Sequence, residues 1–145
     1  MANHKLTGDC RCGRVTLDVK LTSEPALYSP RACDCSFCRS HDVAYLSDPQ
    51  GSMVIQTESS STLKIAKQGD EQAEFLLCAE CGTLLGARWQ EGRHQYACIN
   101  SRVLFEKASL GQEVTATPKQ LNAGQKTERW KQLWFPVFAI MTTNA

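Results

Sequence analysis

Seven of the eight cysteines in this 145-residue chain fall in three tight groups, and that grouping constrains the fold more than any other feature. The groups read Cys10-Arg-Cys12-Gly13, Cys33-Asp-Cys35-Ser-Phe-Cys38 and Cys78-Ala-Glu-Cys81-Gly82. The first and third share one design: two thiols close together, with a glycine after the second. On a straight strand, residues two apart point to opposite faces, so aiming both sulfurs at one ion requires a sharp turn. Glycine supplies the positive φ that such a turn takes. Two half-sites of this kind offer four thiolates, the tetrahedral set that structural Zn²⁺ prefers. A metal held by Cys10, Cys12, Cys78 and Cys81 would clip together two distant parts of the chain. Closing so long a loop costs only a few kcal/mol, against about 10–16 kcal/mol contributed by structural zinc in small model systems.

The middle group offers three thiols within six residues and has no fourth cysteine beside it. Three protein ligands with one open position is the arrangement of a catalytic zinc, and this reading ranks first. Three others stand beside it. His41 or Asp34 could close the site as a fourth ligand. Cys35 and Cys38 could act as a redox pair with Cys33 a spectator. The three thiols could also simply be buried. Cys98 stands alone in the apolar stretch Gln95-Tyr-Ala-Cys-Ile99 and reads as a small buried hydrophobe.

Compartment decides between metal and disulfide. The N-terminus shows no secretory leader, and the longest apolar run, residues 133–141, is interrupted by Pro136 and far too short to span a membrane. The expectation is a cytoplasmic protein, where clustered cysteines bind metal or do redox chemistry more often than they form structural disulfides. With 16 Lys and Arg against 15 Asp and Glu, the net charge is +1. There is no basic stripe to serve a nucleic-acid partner.

Alternating apolar residues Val15, Leu17, Val19 and Leu21 predict a half-buried strand over 14–21. Further strands are expected over 27–33, with Pro30 marking an edge, and over 44–46, 53–57, 63–67, 73–78, 83–89 and 95–99. The pair 63–67 with 73–78 reads as a hairpin, and 83–89 and 95–99 are joined through Gln90-Glu-Gly92-Arg. Residues 109–124 read as loop. Trp130, Leu133 and Trp134 have the spacing of one helical face, which predicts a short helix over 126–134. The aromatic tail, with Phe135 and Phe138, is expected to cap the core. The chain reads as one mainly β domain over 1–145.

These groups together resemble the glutathione-dependent formaldehyde-activating family, also called centromere-protein-V-like. The matching residues are Gly8-Asp-Cys10-Arg-Cys12-Gly13-Arg-Val15, Cys33-Asp-Cys35-Ser-Phe-Cys38-Arg39, Phe75-Leu-Leu-Cys78-Ala-Glu-Cys81-Gly82-Thr83 and Asn100-Ser-Arg-Val-Leu104, spanning about 8–105. The resemblance implies an Mss4-like, zinc-stabilised scaffold of stacked antiparallel sheets. It implies two zincs: a structural one on Cys10, Cys12, Cys78 and Cys81, and a catalytic one on Cys33, Cys35 and Cys38. The implied reaction is a carbon–sulfur lyase run in reverse, adding the glutathione thiol to formaldehyde or another small electrophile. The stretch Arg39-Ser-His41-Asp-Val43 departs from the small Ser-Gly type segment usual there, which bears on substrate more than on metal.

Three cysteinates and one zinc sum to −1, and a bound thiolate makes −2, so such a site needs cations. Arg31 and Arg39 are nearest in sequence and suit a carboxylate of glutathione as well. His41 suits proton transfer, since imidazole exchanges protons near neutral pH. Expected partners are a small-molecule thiol and electrophile, with no nucleic acid and no membrane, and a monomer or homodimer. Two rival classes remain: a non-catalytic zinc-binding module on the same scaffold, and a thiol redox enzyme.

Overall fold

The computed structural model describes residues 4–33, 40–41, 43–67, 73–116 and 123–142. Strand β1 (His4–Asp9) pairs antiparallel with β2 (Val15–Leu21), which pairs antiparallel with β5 (Ser52–Thr57). The strand β11 (Val137–Thr142) closes this four-stranded sheet by running parallel to β5. The second sheet has seven strands. Its elements are β3 (Arg31–Cys33), β4 (Tyr45–Leu46), β6 (Leu63–Lys67), β7 (Glu74–Cys78), β8 (Leu84–Glu91), β9 (His94–Asn100) and β10 (Val114–Ala116). Their order across the sheet is β10-β3-β4-β9-β8-β7-β6. Helix α1 (Ala123–Leu133) precedes β11.

The alternation in β2 does what its period requires. Val15, Leu17, Val19 and Leu21 are buried, while Thr16 and Lys20 between them are exposed. With Leu6, Met53 and Ile55 they form the inner face of the first sheet, packed on Leu76, Leu85, Ala97 and Ile99 of the second. The next residues along those strands, Leu77, Leu84 and Cys98, point the other way into a second cluster with Trp134, Trp130 and Leu133 of the α1 region. The central strands β7, β8 and β9 are thus covered on both faces, which is why Phe75-Leu-Leu-Cys78 reads as an unbroken apolar run. Cys98 is fully buried in that second cluster, as a small hydrophobe would be. The expected aromatic face is present: Trp130 stacks on Trp134 at 4.8 Å and meets Trp89 edge-on at 5.7 Å. Phe135, fully buried, bridges to Ala97 through reciprocal backbone hydrogen bonds. The tail therefore caps the core.

The expected pairing of β6 with β7 forms, and β8 and β9 pair antiparallel as a second hairpin. The second turns through Gly92-Arg93, with Gly92 at φ +59°. Several expectations are corrected in detail. Strands β3 and β10, and β5 and β11, pair in parallel, so the sheets are mixed rather than wholly antiparallel. The strand expected over 27–33 begins only at Arg31, because Pro25–Leu27 form a 3₁₀ turn. Nor is β3 the edge that Pro30 suggested. Pro30 precedes the strand, where its missing N–H costs no ladder bond, and its carbonyl accepts from Val114 of β10. Strands β1 and β10 lack an apolar alternation and were invisible to it. The return of the chain as β11 follows a helix and pairs far from its neighbours in sequence.

Candidate metal centre and adjoining cleft

The β1–β2 turn carries Cys10 and Cys12, and the β7–β8 turn carries Cys78 and Cys81. In the first, Cys10 N–H donates to the Val15 carbonyl at 3.0 Å and Gly13 N–H to the Cys10 carbonyl at 3.0 Å. In the second, Cys78 N–H donates to the Thr83 carbonyl at 3.0 Å and Gly82 N–H to the Cys78 carbonyl at 2.8 Å. Gly13 sits at φ +79° and Gly82 at φ +76°. These are the left-handed conformations expected of both glycines, and the two turns are copies of one device. One belongs to each sheet, so bringing them together ties the sheets at one end.

The four sulfurs lie within 4.8 Å of one another. Cys10 Sγ is 3.5 Å from Cys12 Sγ, and Cys12 Sγ is 3.6 Å from Cys78 Sγ. Zn–S bonds of about 2.3 Å at tetrahedral angles place sulfurs about 3.8 Å apart, whereas a disulfide holds them at about 2.05 Å. The thiols are free, and their spacing fits a metal tetrad. Val15 N–H points at Cys10 Sγ at 3.4 Å, the kind of donor that stabilises a thiolate ligand.

Electrostatics separate Cys78 from Cys81. Burial pushes the Cys78 thiol up to about 12, more than the N–H groups of Cys81 and Glu80 can offset. Burial also opposes ionisation of Cys81, but hydrogen bonds from the Thr83 hydroxyl and N–H, the Cys12 N–H and the Cys78 thiol prevail and lower it to about 5. The Thr83 hydroxyl lies 3.1 Å from Cys81 Sγ. Four thiolates at this spacing require a cation to neutralise them, and a divalent ion on this set supplies one.

Arg11, between the first two cysteines, stitches the two turns. Its N–H and Nε donate to Thr83 Oγ1 at 3.2 and 3.3 Å, and Nη2 donates to the Cys81 carbonyl at 3.1 Å. Beside it opens a hollow of about 230 Å³ lined by Arg11, Ser40, His41, Gly82, Thr83, Asn100, Arg102 and Val103. Asn100 fixes one wall. Its buried amide donates to the Leu84 carbonyl at 2.8 Å and accepts from Arg102 N–H at 3.0 Å and Ala44 N–H at 3.3 Å. Ser101 Oγ also donates to the Ala44 carbonyl, at 2.7 Å. These bonds anchor the chain just after Ser40 and His41 to the end of β9.

Of the middle group, only the Cys33 backbone is described, as the last residue of β3. Asp34, Cys35, Cys38 and Arg39 lie outside the described residues. His41 lines the hollow, with Nδ1 3.1 Å from Ser40 Oγ. Arg31 donates from Nη2 to Ser47 Oγ at 2.7 Å, and burial draws its guanidinium below the ordinary value. It lines neither this hollow nor the neighbouring one. Arg11, Thr83, Asn100 and Arg102 were not singled out as site residues from sequence. Their signal was positional: Arg11 and Thr83 flank the cysteine turns, and Asn100-Ser-Arg102 lies in the last segment of the family resemblance.

The sequence model of a family described as glutathione-dependent formaldehyde-activating enzyme matches residues 5–120. Among solved structures, a Rhodobacter sphaeroides protein superposes with a TM-score of 0.51 at 22% identity, covering 74% of this chain and 99% of its own. That likeness extends to the fold. No curated protein matches the chain.

Proposed function

Because the chain belongs to the glutathione-dependent formaldehyde-activating family, we propose that it is a zinc-dependent enzyme of the carbon–sulfur lyase type. Its substrate would be the adduct between glutathione, or a similar thiol, and formaldehyde or another small electrophile. The observation that carries this reading is the continuous family match over residues 5–120, which spans all seven clustered cysteines. In the synthetic direction the thiol sulfur forms a bond to the carbonyl carbon, and the thiol proton ends on the former carbonyl oxygen. The reverse step breaks that S–C bond.

Two zincs per chain are proposed. Cys10, Cys12, Cys78 and Cys81 would hold the structural one, and their geometry supports a four-sulfur tetrad. Cys33, Cys35 and Cys38 would hold the other, on the strength of their spacing and the family resemblance. A zinc there would supply a site that takes the cosubstrate thiol as thiolate at neutral pH. His41 would accept the thiol proton and return it to the new hydroxyl. Arg31 and Arg39 would offset the anionic charge of the three cysteinates.

Formaldehyde adds to thiols without a catalyst, so the test must read the increment over the spontaneous rate. Exchange between free formaldehyde and its glutathione adduct is followed by NMR with zinc-loaded protein. The expected result is accelerated exchange by wild type, lost in Cys35→Ser and Cys38→Ser, with metal content falling from two to one. Unchanged exchange in both variants would sink the catalytic assignment. Less than one zinc per chain in metal-replete wild type would sink the whole reading.

A further inference from the structure

A second hollow, of about 380 Å³, adjoins the first across a shared ridge of Arg11, Arg102 and Val103. Its other walls include Asp9, Phe105 and Lys107. The charges around it do not neutralise one another. Among the described residues Arg11 has no carboxylate partner and its Nη1 makes no hydrogen bond. Lys107 Nζ there reaches the Arg102 carbonyl alone, at 3.4 Å. Asp9, at the end of β1, has no side-chain hydrogen bond or ion pair among the described residues. Arg102 differs, being matched by a two-bond pair to Glu113 at 2.7 and 3.0 Å.

Among the described residues, two cations and one anion without an ion-pair partner therefore line one concave surface, with the ring of Phe105 exposed beside them. Opposite charges that share one concave surface can pair with each other or be solvated singly. Among the described residues no ion pair joins Asp9 to Arg11 or Lys107, and Arg11 is oriented by its hydrogen bonds to Thr83 Oγ1 and the Cys81 carbonyl. A γ-glutamyl tripeptide thiol carries the complementary set at neutral pH: two carboxylates and one ammonium. The larger hollow also lies within the usual size range of small-molecule sites, about 300–1,000 Å³.

We propose that the larger hollow binds the peptide part of the thiol cosubstrate, with Arg11 and Lys107 on its carboxylates and Asp9 on its ammonium. The ridge at Arg11 and Arg102 then directs the thiol into the smaller hollow, toward His41. This rests on the reading that the thiol is of the glutathione type, and it makes Arg11 and Lys107 the residues that select a dicarboxylate thiol over a neutral one.

The probe is S-methylglutathione, which keeps both carboxylates and the ammonium but has no free thiol, so its binding does not depend on metal or turnover. Titration calorimetry on the full, zinc-loaded chain is expected to give saturable binding that weakens as salt rises. Lys107→Glu and Arg11→Gln should each weaken it by about tenfold, and so should methyl esterification of the probe's carboxylates. Arg11 also braces the cysteine turns, so Lys107→Glu, whose side chain bonds only a carbonyl, decides the matter if Arg11→Gln fails to fold. No binding by wild type, or wild-type affinity in Lys107→Glu, overturns the proposal. Formaldehyde exchange is measured in parallel. Accelerated exchange with charge-independent binding removes the cleft and leaves the enzyme; charge-dependent binding with no accelerated exchange removes the enzyme and leaves the cleft.

Discussion

Replacing Cys12 by serine isolates the contribution of the metal cross-link, because Cys12 is the exposed member of the tetrad. Cys10 and Cys78 are about 1% exposed, so their replacement would also disturb packing. A conservative change at an exposed position ordinarily alters stability by about 0.5 kcal/mol or less. Any larger loss in Cys12→Ser comes from ligation. The link between the two turns spans 66 positions from Cys12 to Cys78. Treated as persisting in the unfolded chain, a cross-link over a loop of that length contributes about 4 kcal/mol through chain entropy, the lower bound on what the metal supplies. Unfolding entropy for a chain of this size is about 0.3 kcal/mol/K, so the melting temperature should fall by about 13 °C. The comparison is Cys35→Ser in zinc against Cys12→Ser/Cys35→Ser with a chelator that a three-thiol site cannot outcompete, so that the second proposed site is disabled in both. Circular dichroism follows the melt, and metal analysis confirms the loss. A double variant that has lost its metal yet melts within about 2 °C of zinc-bound Cys35→Ser refutes the argument that a metal ties the two sheets.

Three further outcomes follow from particular residues. Gly82→Ala should cost about 1–2 kcal/mol, read as a shift in the urea midpoint at constant slope, because φ is +76° there and a new Cβ would meet nothing within 4 Å. The cost is therefore backbone strain alone, and a neutral Gly82→Ala would contradict it. Asp48 accepts from Thr22 N–H and hydroxyl, Gln50 N–H and the Tyr28 hydroxyl. Burial opposes its ionisation, but these bonds outweigh it and hold the carboxyl below the usual range. A depressed carboxyl stabilises the fold above its unfolded value near 3.9 and ceases to do so as pH falls through the folded value. Asp48→Asn should therefore be less stable than wild type by about 1–3 kcal/mol at pH 7, with the gap closing below pH 4 in denaturant titrations; a pH-independent gap would count against the carboxylate. Trp130→Ala should remove the stack on Trp134 and the edge contact to Trp89. The expected loss is about 2–4 kcal/mol with quenched near-ultraviolet dichroism, and an unchanged aromatic signal would show the cluster is not ordered by α1.

Local patterns carried much of this protein. The spacing of Cys10 and Cys12, and of Cys78 and Cys81, with glycine after each pair, predicted turns whose φ values the structure bears out. That inference works because a turn's geometry is set within about five residues. The alternation in β2 and the Trp130–Trp134 face were equally local, and both face the core as their periods require. The family resemblance was also legible, since ordered cysteine groups survive as spacing alone.

Tertiary structure decided what depends on separation in sequence. Strand β10 has no apolar alternation to mark it, and its ladder partner β3 lies far back in the chain, so its backbone pairing is set by the fold. The parallel pairing of β11 with β5 needs the whole chain between them, so no window of sequence contains it. The cleft has the same character. Arg11 lies between Cys10 and Cys12, and no local pattern in the sequence joins it to Asp9 and Lys107. Only the joining of the two cysteine turns, with Leu104 bridged to Gly8, brings these charges around one hollow. A net charge of +1 follows from the sequence by counting, but where unpaired charge remains depends on which groups the fold leaves without partners.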